Sequence, residues 1–511
     1  MIGIKILVAN KREGFEESFV RFFMPDHKKV AVIGAGISGL VFANRLREVS
    51  EKHGLALEVR VFDAAPRAGG TLRTETKDGF LLEKGPDSFL SERPWGVELC
   101  HRLGLENELI GTETAFRRTF VARGGRLYGL PDGFYLIAPR EAAPFLMTPL
   151  FSPFGKLRML SECWLPPTRS ASDESVASFI RRRFGAEALE RVGQPMIAGV
   201  YSGDPEKLGI LSTMPHFREL EAEYGSVIRG LRAQAKKNDR VPDQTRGPRY
   251  SLFVSLKNGM QALTDELARR LGETSLCLKF KAVSLSFEPG NARWTIVSES
   301  GERIQADVLC LAVPACTASR WLEDTAPELA RRLDDLAYES VATLNLAFDS
   351  AQITHPLDGF GFVVPRSECR SLMACTFVHR KFAGRAPEGK VLLRAFVGGA
   401  FGREIFGMPD AELKRAVQKD LAQLLGIRGE PLFSTLERYP RALPQYGVGH
   451  QEWVRTVEEE ADRYPGLILT GASYHGTGIP DCVHDAERKA EAAAARLFGL
   501  NFSEEKSSLM V

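Results

Sequence analysis

The sequence predicts an α/β fold of several domains, α+β in overall organisation, with a parallel-sheet domain assembled from both ends of the chain. Three observations predict it. A short β-branched run, Lys29 to Ile33, enters a glycine-rich turn and then an amphipathic stretch from Ser38 to Val49. A second apolar run, Leu57 to Phe62, completes a strand, turn, helix, strand unit. Near the other end, Leu467 to Thr470 is again apolar, meets a glycine loop at Gly471, and leads into a helix-forming stretch that ends at Leu497. The middle does not continue the alternation, so it reads as insertions and excludes a simple two-part split.

The elements follow in order. Residues 1–28 read as an N-terminal extension without fixed structure. They carry Lys5, Lys11, Arg12, Glu16 and Glu17 and lack the apolar core of a secretory signal, and Met24 is an alternative start. In the first helix, Leu40, Val41, Ala43, Leu46 and Val49 form an apolar stripe. Arg118 to Leu130 reads as a hairpin with Gly124-Gly125 at its turn. Ser172 to Ala198 reads as helical, opened by Ser172 or Asp173. Residues 233–250 are polar and read as an exposed loop. A helix is expected at 261–271, paired strands at 281–298 and a buried strand from Asp307 to Val313. Strands of a second sheet are expected at 341–348, 359–365 and 392–398, a helix at 409–426, and a last helix from Pro480 or Asp481.

Composition bounds the function. The 511 residues are 44% hydrophobic and 26% charged, with net charge +2, which is ordinary for a globular protein and gives no global field for nucleic acid. Arg181-Arg182-Arg183 reads as a solvated helix face. The eight cysteines form no CxxC pair or zinc spacing, so no metal is assigned, and scattered thiols fit a reducing, cytoplasmic setting. No window is apolar over about 18 residues, so no membrane-spanning helix is expected.

The glycine turn is Gly34-Ala35-Gly36-Ile37-Ser38-Gly39, a full GxGxxG. The first glycine permits the turn, the second lets the backbone approach a pyrophosphate, and the third lets helix and strand touch. The helix N-terminus adds amides and partial positive charge for phosphates. Asp63, followed by Ala64, ends the second strand where a carboxylate accepts from ribose hydroxyls. Together they predict a Rossmann-like dinucleotide domain. Further glycines turn the reading from NAD towards FAD: Gly69 and Gly70, with Arg67 or Arg73 to neutralise phosphate, then Gly85, Pro86, Asp87 and Ser88. At the C-terminal end, Gly471 and Gly478-Ile479-Pro480 place another helix N-terminus towards the cofactor, where it favours the anionic reduced flavin.

These and other segments carry a resemblance. VAVIGAGISGL, APRAGGTLRT, GPDSFL, RRTFVARGG, GKLRM, AGVYSGDPEKL, GSVIRGL, LKNGMQAL and GASYHGTGIPDCV span nearly the whole chain. The chain resembles the oxygen-dependent protoporphyrinogen/coproporphyrinogen oxidase family of haem biosynthesis. AGVYSGDP and GIPDC are the more specific matches. The resemblance implies a discontinuous FAD-binding domain (29–99, 251–320 and 455–500). It implies a mostly helical, membrane-facing domain (100–220) and a mixed-sheet substrate domain (221–250 and 321–454). It implies removal of six electrons from a porphyrinogen in three flavin cycles, with molecular oxygen as acceptor and hydrogen peroxide as product. The flavin carries the chemistry, and no protein group is assigned as catalytic.

Residue by residue, the resemblance places Arg118 against a substrate propionate, Gly199 with its backbone close to the macrocycle, and Phe377 packed on the tetrapyrrole. It places Val283 as a backbone contact on the adenine side of FAD. His475, in the flavin loop, is not assigned as a base. Three questions stay open in the sequence. One is the choice between the two porphyrinogens. Another is peripheral contact with the cytoplasmic face of a membrane, for which residues 127–151 are the apolar candidate. The third is the partner: a ferrochelatase that receives product, or a second copy of the chain. The rival readings are an FAD-dependent amine oxidase or carotenoid desaturase, and a flavin-binding partner protein without turnover.

Overall fold

The computed structural model describes residues 27–168, 170, 172–240 and 252–499. The expectations for residues 1–26, Met24 included, and for 241–250 lie outside these residues, whereas 233–240, expected in the same exposed loop, belong to the helix Val227–Arg240.

Both ends of the chain build one sheet. Its five strands are all parallel, in the order Leu276–Leu278, Leu57–Asp63, Lys28–Ile33, Val308–Leu311 and Leu467–Leu469. Strands buried on both faces are rich in apolar residues, and four of these are legible in the sequence, although Glu58 and Arg60 alternate with apolar side chains in Leu57–Asp63. The edge strand Leu276–Leu278 is too short to show a period. On one face the helix Ile37–His53 packs with the C-terminal helix Ile479–Phe498. The latter buries Ala486, Ala490, Ala493 and Ala494, small side chains that let the two helices approach closely. On the other face lies an antiparallel meander, Ala282–Glu288, Arg293–Ser298 and Arg303–Ala306, packed through Trp294 and Ile296 against Phe62 and Leu311.

The second sheet has seven strands: Phe433–Pro444, Tyr338–Asp349, Lys390–Gly398, Ala374–Phe377, Gly361–Val363, Thr119–Arg123 and Arg126–Gly129. Alternation divides its faces. Leu344, Leu346, Leu393, Ala395 and Phe377 pack under the helix Asp410–Leu425, through Leu413, Val417 and Leu421. Thr343, Asn345, Arg394 and Tyr439 point the other way, to the Glu83–Gly85 segment. The strand Phe433–Pro444 was not read from the sequence because, at the sheet edge, it is half-exposed and mostly polar. The Gly124-Gly125 turn is as expected, with both glycines at positive φ (+57° and +73°). The hairpin, however, joins this sheet through the parallel pairing of Thr119–Val121 with Gly361–Val363, and so departs from the helical assignment of 100–220.

The helices Ala142–Met147, Pro153–Leu160, Val176–Phe184, Gln194–Tyr201, Pro215–Tyr224 and Val227–Arg240 share a core that includes Phe145, Phe179, Phe184, Phe217 and Ile228. This unit continues past residue 220, because Val227, Ile228 and Leu231 belong to the same core. Two expectations are corrected here. Ser175, not Ser172 or Asp173, caps the helix, its Oγ accepting from the Ser178 amide (3.0 Å). Asp173 instead accepts from Leu211 N (3.1 Å) and Gly449 N (2.9 Å), tying the helical unit to a later helix. The arginine triplet is solvated only in part: Arg181 is exposed, but Arg183 is fully buried, ion-paired with Glu162 and Glu221.

Candidate functional site

The first glycine turn is shaped by contacts that exclude side chains. Gly34 has φ +108°, and a Cβ there would overlap the Ala312 carbonyl oxygen. A Cβ on Gly39 would overlap Gly34 O. Gly36 is different, because no heavy atom lies within 4 Å of where its Cβ would be. The helix Ile37–His53 begins at this open space with no side-chain cap and no acid in its first turn. Helix-end amides and a positive dipole end beside a backbone that no side chain crowds fit a diphosphate. The residues present therefore fit the dinucleotide part of FAD.

The neighbouring segments line up on this cradle. Asp63 accepts from Ala35 N (2.7 Å) through Oδ2 and from Ala65 N (2.8 Å) through Oδ1, so it braces the turn as well as ending its strand; Ala64 between them is exposed. Gly69 N donates to Ala35 O (2.7 Å), and a Cβ on Gly70 would stand 3.1 Å from Gly36 Cα. A Cβ on Gly85 would overlap Thr71 O. Arg67 spends its guanidinium on Ala68 O (2.8 Å), Gly70 O (2.7 Å) and Leu72 O (3.1 Å), so it moulds the loop, whereas the sequence expectation had it free for phosphate. Val283 is the extra residue of a β-bulge between Ala282 and Ser284, with an exposed side chain and its backbone outside the ladder register.

Beyond Gly85 the segment is held by charge. Asp87 accepts from Lys381 Nζ (3.1 and 3.2 Å) and from Ser88 Oγ (2.7 Å), while Pro86 is exposed. Burial pushes the Asp87 carboxyl up, but Lys381 and Arg394 outweigh it and hold the group at about 2. The Lys84 carbonyl takes three donors from the second sheet: Tyr439 Oη (2.7 Å), Arg394 Nη2 (3.2 Å) and Thr343 Oγ1 (3.3 Å).

The C-terminal loop closes the other side. Asp485 Oδ2 accepts from Thr470 Oγ1 (2.6 Å) and Gly471 N (3.4 Å). Tyr446 bridges the loop, donating to Ala472 O (2.7 Å) and accepting from Gly476 N (3.0 Å); burial pushes its hydroxyl well above its ordinary range. The helix starting at Ile479-Pro480 has Gly478 as N-cap without a side-chain bond. It carries Asp481 in its first turn, paired with Arg93, so this dipole end already faces a carboxylate. His475 lies against Glu458 (2.9 Å).

The expected substrate residues fare unequally. Arg118 is exposed and bonds Asp358 (3.0 Å). Gly199 is exposed on the helix Gln194–Tyr201, and a Cβ on it would meet Val363 at 3.4 Å. Phe377 is corrected. It is fully buried beneath the helix Asp410–Leu425, paired in register with Leu393, and so points away from the face that carries Arg394. The residues that sequence reading missed are Tyr439, Asn345 and Arg394. The one signal available was Arg394, a cation inside the apolar run VLLRAFV.

The pattern of the family described as flavin containing amine oxidoreductase matches residues 37–494. The chain belongs to this family. Within the family, coproporphyrinogen III oxidase of Bacillus subtilis is 34% identical over 93% of this chain and 100% of its own length. The Staphylococcus aureus protein of the same name is 32% identical over 92% of this chain and 100% of its length. Mitochondrial protoporphyrinogen oxidase of Nicotiana tabacum is 30% identical over 88% of this chain and 92% of its own. This flavin oxidoreductase is therefore a member of the porphyrinogen oxidase group named from its sequence motifs. A crystal structure from Exiguobacterium sp. 255-15, assigned as a protoporphyrinogen oxidase, matches with TM-score 0.81 at 29% identity, covering 93% of this chain and 100% of that one. Putrescine oxidase (TM-score 0.66, 17% identity) shares the fold. FAD is the cofactor of this family member.

Proposed function

We propose that this flavin oxidoreductase oxidises coproporphyrinogen III to coproporphyrin III, passing the electrons to oxygen with release of hydrogen peroxide. One observation carries the reading in the structure. The exposed backbone of Gly199 stands over Val363, whose strand pairs in register with the strand that follows Arg118. A backbone surface without a side chain, one strand from an exposed arginine, suits a flat macrocycle that bears propionates. End-to-end identity with coproporphyrinogen III oxidases, up to 34%, favours that substrate over protoporphyrinogen. FAD, when bound, would supply the hydride acceptor, while the chain's own residues orient and shield the substrate. In this reading Gly34, Gly36, Ser38 and Gly39 hold the diphosphate, Asp63 the ribose, and Val283 the adenine side. Gly70, Gly85, Gly471 and Gly478 bring backbone against the rest of the cofactor.

The test is anaerobic mixing of the FAD-loaded protein with coproporphyrinogen III, protoporphyrinogen IX or an amine, followed by air. Bleaching of the flavin by coproporphyrinogen III first, then porphyrin fluorescence and peroxide after air, is the expected result. Bleaching by an amine alone, or by none of the three, overturns the assignment. Arg118→Ala is expected to raise KM about fivefold, on the order of 1 kcal/mol for a solvent-screened ion pair, with kcat unchanged. An unchanged KM removes Arg118 from the substrate site.

We also propose peripheral membrane contact, at a surface displaced from the expected one. Within 127–151, Ile137, Phe145, Leu150 and Phe151 are not available, because they are buried in the helical core. Leu146 and Met147, within that segment, are exposed, Met147 at 85%, and the exposed apolar side chains continue after it with Phe154 (85%), Leu157 and Trp164 (77%). Lys156 stands among them, donating to Leu146 O (2.7 Å). Clustered apolar side chains with a cation suit an interfacial anchor on anionic lipid. No helix among the described residues is long and apolar enough to cross a membrane. Flotation with phosphatidylglycerol vesicles is expected to carry the protein, and F154S/W164S to reduce the bound fraction about tenfold or more, since each side chain buries roughly 1.5–3 kcal/mol. A wild-type protein that stays out of the vesicle fraction refutes the contact.

A further inference from the structure

Arg394 sits in the middle of the strand Lys390–Gly398 and is 3% exposed. Its Nη2 donates to Lys84 O (3.2 Å) and to Gly85 O. Among the described residues it forms no ion pair, and its buried Nε–H has no partner. Across the sheet, its neighbour in register is Asn345, whose neighbour in turn is Thr435. Asn345 Oδ1 and Thr435 Oγ1 are also buried without partners. Three unpartnered polar atoms on one rung of one face mark a place built for something else. Asp87 and Glu83 feel its field, but Asp87 is already paired with Lys381, so this buried guanidinium leaves positive charge that a further negative charge would meet.

Its location says what that charge is. Gly36, Gly70, Thr71 and Gly85 form a line of close backbone approaches leading from the diphosphate cradle to the second sheet, and Arg394 bonds the end of that line. Two residues on, along the same face, Phe396 shares a rung with Ala374. Ala374 pairs with Val363, the residue beneath Gly199. Arg394 thus stands between the cofactor line and the substrate wall. The geometry points to Arg394 as a positioning residue for charge: its fixed positive field at this junction raises the reduction potential of bound FAD. Reduction adds two electrons to the cofactor, and a cation in a water-poor site stabilises the electron-rich state more than the oxidised one. The inference rests on the cofactor reading and goes beyond it, since it concerns the potential and not the binding.

The experiment is a spectroelectrochemical titration of the FAD-loaded wild type and of R394Q, R394K and N345D. R394Q is expected to shift the oxidised/reduced equilibrium about tenfold towards oxidised FAD, about 30 mV lower for a two-electron couple. R394K restores most of the shift. N345D, which places a carboxylate opposite an intact Arg394, lowers the potential in the same direction. Should R394Q fail to fold, N345D decides. Wild-type potentials in R394Q and N345D with FAD fully bound overturn the inference, as does an R394K shift equal to that of R394Q, which would make the role one of loop shape. A wild-type protein that binds no FAD would sink the cofactor reading instead.

Discussion

Arg183→Met is expected to lower the urea midpoint sharply and to open the helical unit to protease, a loss of about 3–5 kcal/mol, the usual cost of removing one member of a buried ion pair. Glu162 is fully buried and accepts from Arg183 Nε (2.8 Å), Ser226 Oγ (2.5 Å), Val227 N (2.9 Å) and Ile228 N (3.2 Å). It therefore caps the helix Val227–Arg240 while holding the arginine. Arg183 also reaches Pro166 O (3.1 Å) and Gly225 O (3.2 Å), binding three separated segments. Without Arg183 the carboxylate stays buried and unpaired. Glu221 suffers less because Arg182 and Arg218 also pair with it. Burial pushes Glu221 up, yet its bonds from Arg182 and others hold it at about 2. Combining Arg183→Met with Glu162→Leu is expected to recover much of the loss, since the uncompensated charge is gone. A single variant as stable as the wild type shows that the network carries no stability.

Gly36→Ala and Gly39→Ala are expected to fail in different ways, although both lie in one turn. A Cβ at Gly36 meets nothing within 4 Å, and its φ of −76° suits any residue. The apo-protein should melt as the wild type does, while FAD binds about 10- to 100-fold more weakly, from roughly 1–3 kcal/mol of overpacking in the cradle. A Cβ at Gly39 overlaps the backbone of Gly34, which cannot yield without moving strand or helix. Gly39→Ala should lower the melting temperature of the apo-protein itself. Calorimetry of the apo-forms with FAD titration separates the two. Equal melting and equal FAD affinity in both variants would remove the turn from the cofactor site.

The sequence by itself determined the parallel sheet, the glycine turn and the closing helix, because their causes are local. Four of the five strands carry apolar side chains in continuous or alternating runs, and Gly34 and Gly39 answer to a backbone a few residues away or to the adjoining strand. The resemblance in AGVYSGDP and GIPDC likewise lies in short stretches. Only the tertiary structure decided the rest. Phe377 and Arg394 are both strand residues in apolar runs, and which faces the Lys84–Gly85 segment depends on a period-2 register set by strands far away in the chain. Arg183 looks like its neighbours Arg181 and Arg182, yet only it meets Glu162 across the helical core. Ile137, Phe145, Leu150 and Phe151 enter the core while Leu146, Met147, Phe154 and Trp164 stay exposed, because packing partners, not hydropathy, select which side chains are covered. The fold was legible where burial acts on both faces of an element, and the site was not, because its polar groups are brought together by pairings that no local pattern encodes.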